Sequence, residues 1–264
     1  MDYLQLTYWQ VGIAASLIVL NGAISIVLGL GLEKRLALAA ARTMIQLTLL
    51  GMVLGPVFQI RSPWLVACLM AAMTITAGVA AARRTSRRHP GIWFNSIVSM
   101  FVSSWLMAAV ALGAIVRPAP WYTPQYAIPL LGMILGNTLN GISLGLDRLL
   151  SECSRRAEIE TRLALGATRW EAAQPAVQEA VRTGMIPIVN AMMVVGIVSL
   201  PGMMTGQLLA GVAPMEAVKY QIVIMFLIAS GAALGTVLVV LLGFLRLFNR
   251  CHQFRADLIR GHGK

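Results

Sequence analysis

The chain has 264 residues, 58% of them apolar and only 12% charged, with a mean hydropathy of +0.77. A soluble domain is nearer half apolar and a quarter charged, so these values exclude an ordinary soluble protein and describe an integral membrane protein. A net charge of +11 would suggest nucleic acid in a soluble chain; here no nucleic-acid partner is expected, because the excess follows the positive-inside pattern of membrane proteins.

About 20 apolar residues cross a bilayer as a helix. Seven stretches meet that length: 8–32, 36–60, 63–82, 92–116, 128–146, 185–211 and 217–245. The expected class is therefore all-α, a polytopic protein of about seven transmembrane helices forming a single permease-like domain over 1–264. The charge lies between the stretches. Lys34 and Arg35 follow the first, and Arg83, Arg84, Arg87 and Arg88 follow the third. Arg148, Arg155, Arg156, Arg162, Arg169 and Arg182 follow the fifth, and Arg246, Arg250, Arg255, Arg260 and Lys264 form the tail. Seventeen of the 21 Lys and Arg thus share one side, against Arg61, Arg117 and Lys219 on the other. This places the N-terminus outside and the C-terminus in the cytoplasm, in a cell inner membrane. Trp121 and Tyr122, among Pro118, Pro120 and Pro124, read as interfacial anchors of an outer loop, and Ser62–Pro63 as a helix start. No Lys or Arg precedes Lys34, which argues against a signal peptide with a basic leader. Three Cys, two of them on the basic side, argue against a disulfide framework.

The segment 147–184 is the one long polar connection. Leu149, Leu150, Ile159, Leu163 and Leu165 sit among its charges, as on amphipathic helices. Gly166 suits a left-handed helix end, and Thr168 with Glu171 three residues on suits a capping box. The expectation is a cytoplasmic helix–turn–helix, with Pro175 kinking or restarting the second helix. Glycines four apart at Gly51/Gly55, Gly132/Gly136, Gly141/Gly145, Gly202/Gly206 and Gly231/Gly235 suit close helix packing, within one chain or between two copies.

Glu158, Arg162, Leu165, Gly166, Ala167 and Thr168 resemble the coupling loop of ABC-transporter permeases, which docks on a separate ATPase. The chain has three Lys and none follows a Walker A glycine pattern, so no enzymatic ATP hydrolysis is expected from it. No acidic residue or His lies in a span core, so intrinsic proton coupling is disfavoured as well. Further along, Gly132, Met133, Ile134, Gly136 and Asn137, then Arg182, Ile186 and Pro187, then Leu200, Pro201, Gly202, Met203, Met204, Thr205 and Gly206 follow in order, with Pro214 and Lys219–Tyr220 after them. This order and spacing resemble the FetB-type iron-export permeases, which are related to plant aluminium-tolerance permeases. The resemblance implies the permease of a two-component ABC exporter: two copies of this chain, two ATPase subunits holding the ATP and Mg, and iron or an iron chelate as cargo, with no cofactor in this chain itself. The plant relatives leave a nucleotide sugar or another small anion as an alternative. A motor-independent channel or scaffold is the reading from a different class.

The residues expected along a substrate path follow from polarity and helix breaks at membrane depth. Pro201 and Gly202 interrupt the sixth stretch, and Thr205 and Gln207 follow them, so 200–207 reads as a gate or binding element. Met203 and Met204 offer thioethers, which suit soft ions better than iron, or else fill gaps. Arg42 and Gln46 lie one turn apart on the second stretch, with Arg42 either snorkelling or lining the path. Asn137 and Asn140 on the fifth stretch, Asn95 and Ser99 on the fourth and Asn190 on the sixth are further polar candidates. No metal-ligand set is assignable from sequence.

Overall fold

The computed structural model describes residues 7–60, 62–249 and 251–261; Arg61, Arg250 and Lys264 lie outside them. The elements are α1 (Tyr8–Val27), α2 (Glu33–Ile60), α3 (Pro63–Arg83), β1 (Arg87–Arg88), α4 (Ile92–Val110), α5 (Pro124–Cys153), α6 (Arg156–Ala164), α7 (Arg169–Val194), α8 (Gly202–Leu209), α9 (Pro214–Leu247) and β2 (Arg260–Gly261). Among the described residues the protein is all-α apart from the two-residue strand pair of β1 and β2. The described chain divides into two compact bodies on either side of Ser62.

The first body is the hairpin of α1 and α2. Gly29 and Gly31 adopt positive φ in its turn. The Ser25 hydroxyl, buried in the hairpin, accepts from the Leu32 amide at 3.0 Å and so holds the turn shut. Almost all of the remaining apolar surface of both helices is open, as expected of segments solvated by lipid.

The second body is built around α5, which packs against α3, α4, α7 and α9. Glycine makes this possible. A Cβ at Gly184 of α7 would lie 2.7 Å from the carbonyl oxygen of Gly141 and 2.5 Å from Thr236 Cγ2 of α9. Gly141 and Gly145 on α5 meet Thr236 at 2.5 and 2.8 Å by the same measure, and Gly235 meets Thr138 at 2.5 Å. Three helix backbones therefore approach within side-chain distance at one point, a contact only residues without a Cβ allow. Among the described residues, Cβ atoms at Gly202 and Gly206 would meet nothing within 4 Å, and those at Gly51 and Gly55 meet nothing within their own hairpin.

Among the described residues six helices are long and apolar enough to span: α1, α2, α3, α4 with its extension to Ile115, α5 and α9. The expected seventh stretch, 185–211, is not one helix. Its first ten residues complete α7, residues 195–201 form a turn, and α8 follows. Ten apolar residues are too few to cross alone. The turn is fixed by Gly196 at φ +83, whose amide donates to Ser199 O at 2.9 Å, and by Pro201, which lacks an amide and holds Leu200 out of the helical region. Pro175 and Pro187, by contrast, lie inside α7 without ending it; of the kink or restart expected at Pro175, the restart does not occur.

Two groups of contacts gather the basic connections at one end of this body. The Asp147 carboxylate accepts from the Ser86 amide and hydroxyl, each at 2.7 Å, and Arg87 donates to Ser154 Oγ at 2.6 Å. The tail returns over the same end: β2 pairs antiparallel with β1, and Phe248 stacks between Phe244 and Phe254, with ring centroids at 5.2 and 5.0 Å. The arginines that follow α3, α5 and α9 thus lie together, as the positive-inside reading requires.

Candidate functional site

At the basic end, α6 and α7 form the helix–turn–helix. The turn closes as a Schellman motif: Gly166 at φ +93 donates to Leu163 O at 3.0 Å, and Ala167 donates to Arg162 O at 3.1 Å. A non-glycine residue at that φ carries a steric penalty. The next helix starts at once. Thr168 is its N-cap, with Oγ1 accepting from the Glu171 amide at 3.3 Å and the Glu171 carboxylate accepting from the Thr168 amide at 2.7 Å. This is the expected capping box. The hydrogen bond from the Thr168 amide, and next that from its hydroxyl, hold the Glu171 carboxyl below the usual carboxylate range. A second cap is supplied from far along the chain: His252 Nδ1 accepts from the Arg169 amide at 2.9 Å, and Arg169 also reaches Asn249 O at 3.2 Å.

Glu158 and Arg162 pair at 3.0 Å, one turn apart on α6. Both line a charged hollow of about 280 Å³ with Arg148, Glu152 and Glu179, and Arg148 bridges Glu152 at 2.9 Å and Glu179 at 3.3 Å. Leu165 projects from the turn with 82% of its surface exposed. Glu158, Arg162, Leu165, Gly166, Ala167 and Thr168 are thus contiguous in space as well as in sequence.

The broken segment between α7 and α9 holds the second candidate. Pro201 starts α8, and Thr205 Oγ1 donates back to Pro201 O at 3.1 Å. A cavity of about 430 Å³ lies beside the break, walled by Met192, Gly196, Pro201, Met204, Gln221 and Met225. Gln221 on α9 is 7% exposed, and its Oε1 has no hydrogen-bond partner among the described residues. An orphaned buried acceptor costs about 1–3 kcal/mol. Gln221 belongs to the run Lys219–Tyr220–Gln221–Ile222 that carries the family resemblance, but it was not expected on the substrate path, because a single amide in an apolar helix marks no site by itself. Gly202 is exposed, while Met203, Thr205 and Gln207 are half-buried.

The other expected path residues are dispersed. Asn140 Oδ1 accepts from Arg84 at 2.9 Å, which makes it a tether for the basic loop. Asn137 donates to Met133 O of its own helix at 3.0 Å. Asn95 and Ser99 are buried, with Asn95 Nδ2 and Ser99 Oγ unpartnered among the described residues, while Asn190 is exposed. Arg42 and Gln46 are exposed on α2, in the first body. Among the described residues no three His, Cys, Asp or Glu side chains cluster as a metal site.

Comparison with known proteins agrees over nearly the whole chain. The family model described as uncharacterised protein family UPF0014 matches residues 8–248. The UPF0014 membrane protein slr1647 of Synechocystis is 43% identical over 226 residues, 85% of this chain and 87% of the relative. The probable iron export permease protein FetB of Escherichia coli is 30% identical over 259 residues, 96% of each chain. The protein ALUMINUM SENSITIVE 3 of Arabidopsis thaliana is 28% identical over 231 residues, 87% of this chain and 83% of the relative. No solved structure matches.

Proposed function

Because the chain belongs to the UPF0014 family of membrane proteins, we propose that it is the permease subunit of a two-component ABC transporter that exports iron. The observation that carries this is kinship along 96% of the chain with a relative named as a probable iron export permease. In this reading two copies of the chain pair with two ATPase subunits, which bind and hydrolyse ATP with Mg. The basic end faces the cytoplasm across an inner membrane, with the N-terminus on the other side.

The ATPase grips the α6–α7 turn. Leu165 supplies the apolar contact, Gly166 lets the backbone bend sharply against the partner, and the Glu158–Arg162 pair fixes the face α6 presents. Closure of the ATPases pushes on Thr168, and α7 carries that displacement to the turn at 195–201. Pro201, Gly202, Met203, Met204, Thr205 and Gln207 then form the gate beside the 430 Å³ cavity, where freed backbone carbonyls and side-chain oxygens receive a polar cargo.

The test is ATPase activity of the permease–ATPase pair in liposomes, titrated with ferrous iron, iron–citrate, UDP-glucose and a zinc control. Stimulation by an iron species that disappears in Glu158→Ala is the expected result. Stimulation by UDP-glucose with indifference to iron keeps the machine and overturns the cargo. Failure of the two subunits to associate overturns the permease reading and returns the chain to a channel or scaffold.

A further inference from the structure

The first backbone amide of a helix has no partner inside that helix. In α7 this amide belongs to Arg169, and its partner is the His252 ring, 83 residues further along the chain. The bond fixes the state of the ring. An amide only donates, so Nδ1 carries the lone pair and the ring proton sits on Nε2. The neutral imidazole satisfies this. The imidazolium, which donates from both nitrogens, does not.

The loop that presents the ring is tightly bonded. Asn249 Oδ1 accepts from the Cys251 amide at 3.0 Å and from the Gln253 amide at 2.9 Å, and Asn249 Nδ2 donates to Gln253 Oε1 at 2.8 Å. These bonds hold His252 at φ +58, a left-handed conformation that non-glycine residues seldom take. The remaining contacts between tail and helix do not titrate near neutrality. Arg169 donates to Asn249 O at 3.2 Å, and Trp170 stands edge-on to Phe244 with centroids 5.4 Å apart. On α7 the charged groups facing the ring are Arg169 and Glu171. The Glu171 carboxyl, held low first by the Thr168 amide, also responds to charge on His252. Gly166, Ala167 and Thr168 bring no titratable side chain, and on its own loop the described ionisable groups are Cys251 and Arg255.

We propose that His252 is a positioning residue of the α6–α7 turn and a proton-sensitive one: the neutral ring fixes the first turn of α7, and the protonated ring releases it. That this turn relays the motion of an ATPase rests on the permease reading, whereas the cap itself does not. Protonation at Nδ1 replaces the lone pair with a second N–H set against the Arg169 N–H. It also puts a positive charge at the positive end of the helix dipole, beside the Arg169 guanidinium. The ring then turns to Glu171 as its counter-charge and draws that carboxylate from the Thr168 amide. Histidine changes charge between about pH 5 and 8, so the cap is complete at the alkaline end of that range and is lost as pH falls through it. Trp170 and the Arg169 guanidinium stay in place, which confines the release to one turn.

The experiment is amide hydrogen exchange of the purified full-length chain across that pH range, followed in peptides covering the first turn of α7. Each exchange time is scaled for the intrinsic pH dependence of amide exchange, with peptides of α5 as the reference. The expected result is a rise of about fivefold in the first turn as pH falls, the equivalent of one lost cap. His252→Asn sets an amide oxygen in the place of Nδ1, tolerates the left-handed backbone and does not titrate, so it should exchange slowly throughout. His252→Ala should exchange fast throughout. A native profile without a step in this range, or a step that persists undiminished in either variant as monodisperse protein, overturns the proposal. The step without association of the chain with an ATPase keeps the cap and overturns the permease reading. Iron-stimulated ATPase with no step does the reverse.

Discussion

Gly184→Ala tests the packing that organises the second body. The added methyl would sit 2.7 Å from Gly141 O and 2.5 Å from Thr236 Cγ2. Thr236 cannot simply rotate away: it is fully buried, and its Oγ1 donates to Ala232 O at 2.7 Å. The carbonyl belongs to the α5 backbone, so the helices must separate. Overpacking of this kind costs about 1–3 kcal/mol, and the clash with backbone places it at the upper end. Alanine returns about 1 kcal/mol of helix propensity over glycine. The net is a destabilisation of about 1–2 kcal/mol, equivalent to a fall of about 3–6 °C in Tm for a domain near this size. Thermal unfolding of the purified chain in one detergent, followed by intrinsic fluorescence, measures it. Gly206→Ala is the internal comparison, because its methyl meets nothing within 4 Å, and it should melt at or above the native temperature. Thr236→Ser, which removes the clashing methyl and keeps the hydroxyl, should recover part of the Gly184→Ala loss. A Gly184→Ala protein as stable as the native chain would refute the three-helix contact.

Two further outcomes concern the basic end. Thr168→Ala should raise amide exchange in the first turn of α7 about fivefold, the equivalent of one lost cap. Because the Glu171 carboxyl is held below its usual range, first by the Thr168 amide and then by its hydroxyl, the Glu171 share of that turn's protection is complete above the ordinary carboxylate range. It should be lost as pH falls through the depressed value, and Glu171→Gln should flatten that dependence. Of the three free cysteines, Cys153 is buried and Cys251 is exposed in the tail; a membrane-impermeant maleimide should label Cys251 only from the face that carries the α6–α7 turn. Labelling of Cys251 from the opposite face would invert the topology.

Much of this was legible in the sequence for stated reasons. Hydropathy locates six of the seven stretches because a lipid-facing helix needs an unbroken apolar run. The Gly166 turn and the Thr168–Glu171 cap are legible because each depends on one residue type at a fixed offset. The break in the sixth stretch is not, because residues 185–200 remain apolar through helix and turn alike; Gly196 and Pro201 were the available signals, and only the second was read. Glycine spacing does not reveal its partner, so Gly141/Gly145, which packs inside the chain, and Gly202/Gly206, which does not, look the same. The tail looks merely basic, since Phe248 and Phe254 come together through a loop rather than a period.

The continuity of α7 has a mechanical consequence. Its 26 residues make a rod of about 39 Å at 1.5 Å per residue, buried along one side from Ala172 to Ile188, with a close backbone approach to α5 at Gly184. That point lies nearer the far tip, leaving arms of about 22 Å toward Arg169 and about 15 Å toward Val194. A rod tilting on such a fulcrum reverses the sense of motion between its ends and trades stroke for force. In the transport reading proposed above, if α7 tilts rigidly about that contact, a sideways displacement at Thr168 would reach Val195 reversed and at about two-thirds of the amplitude.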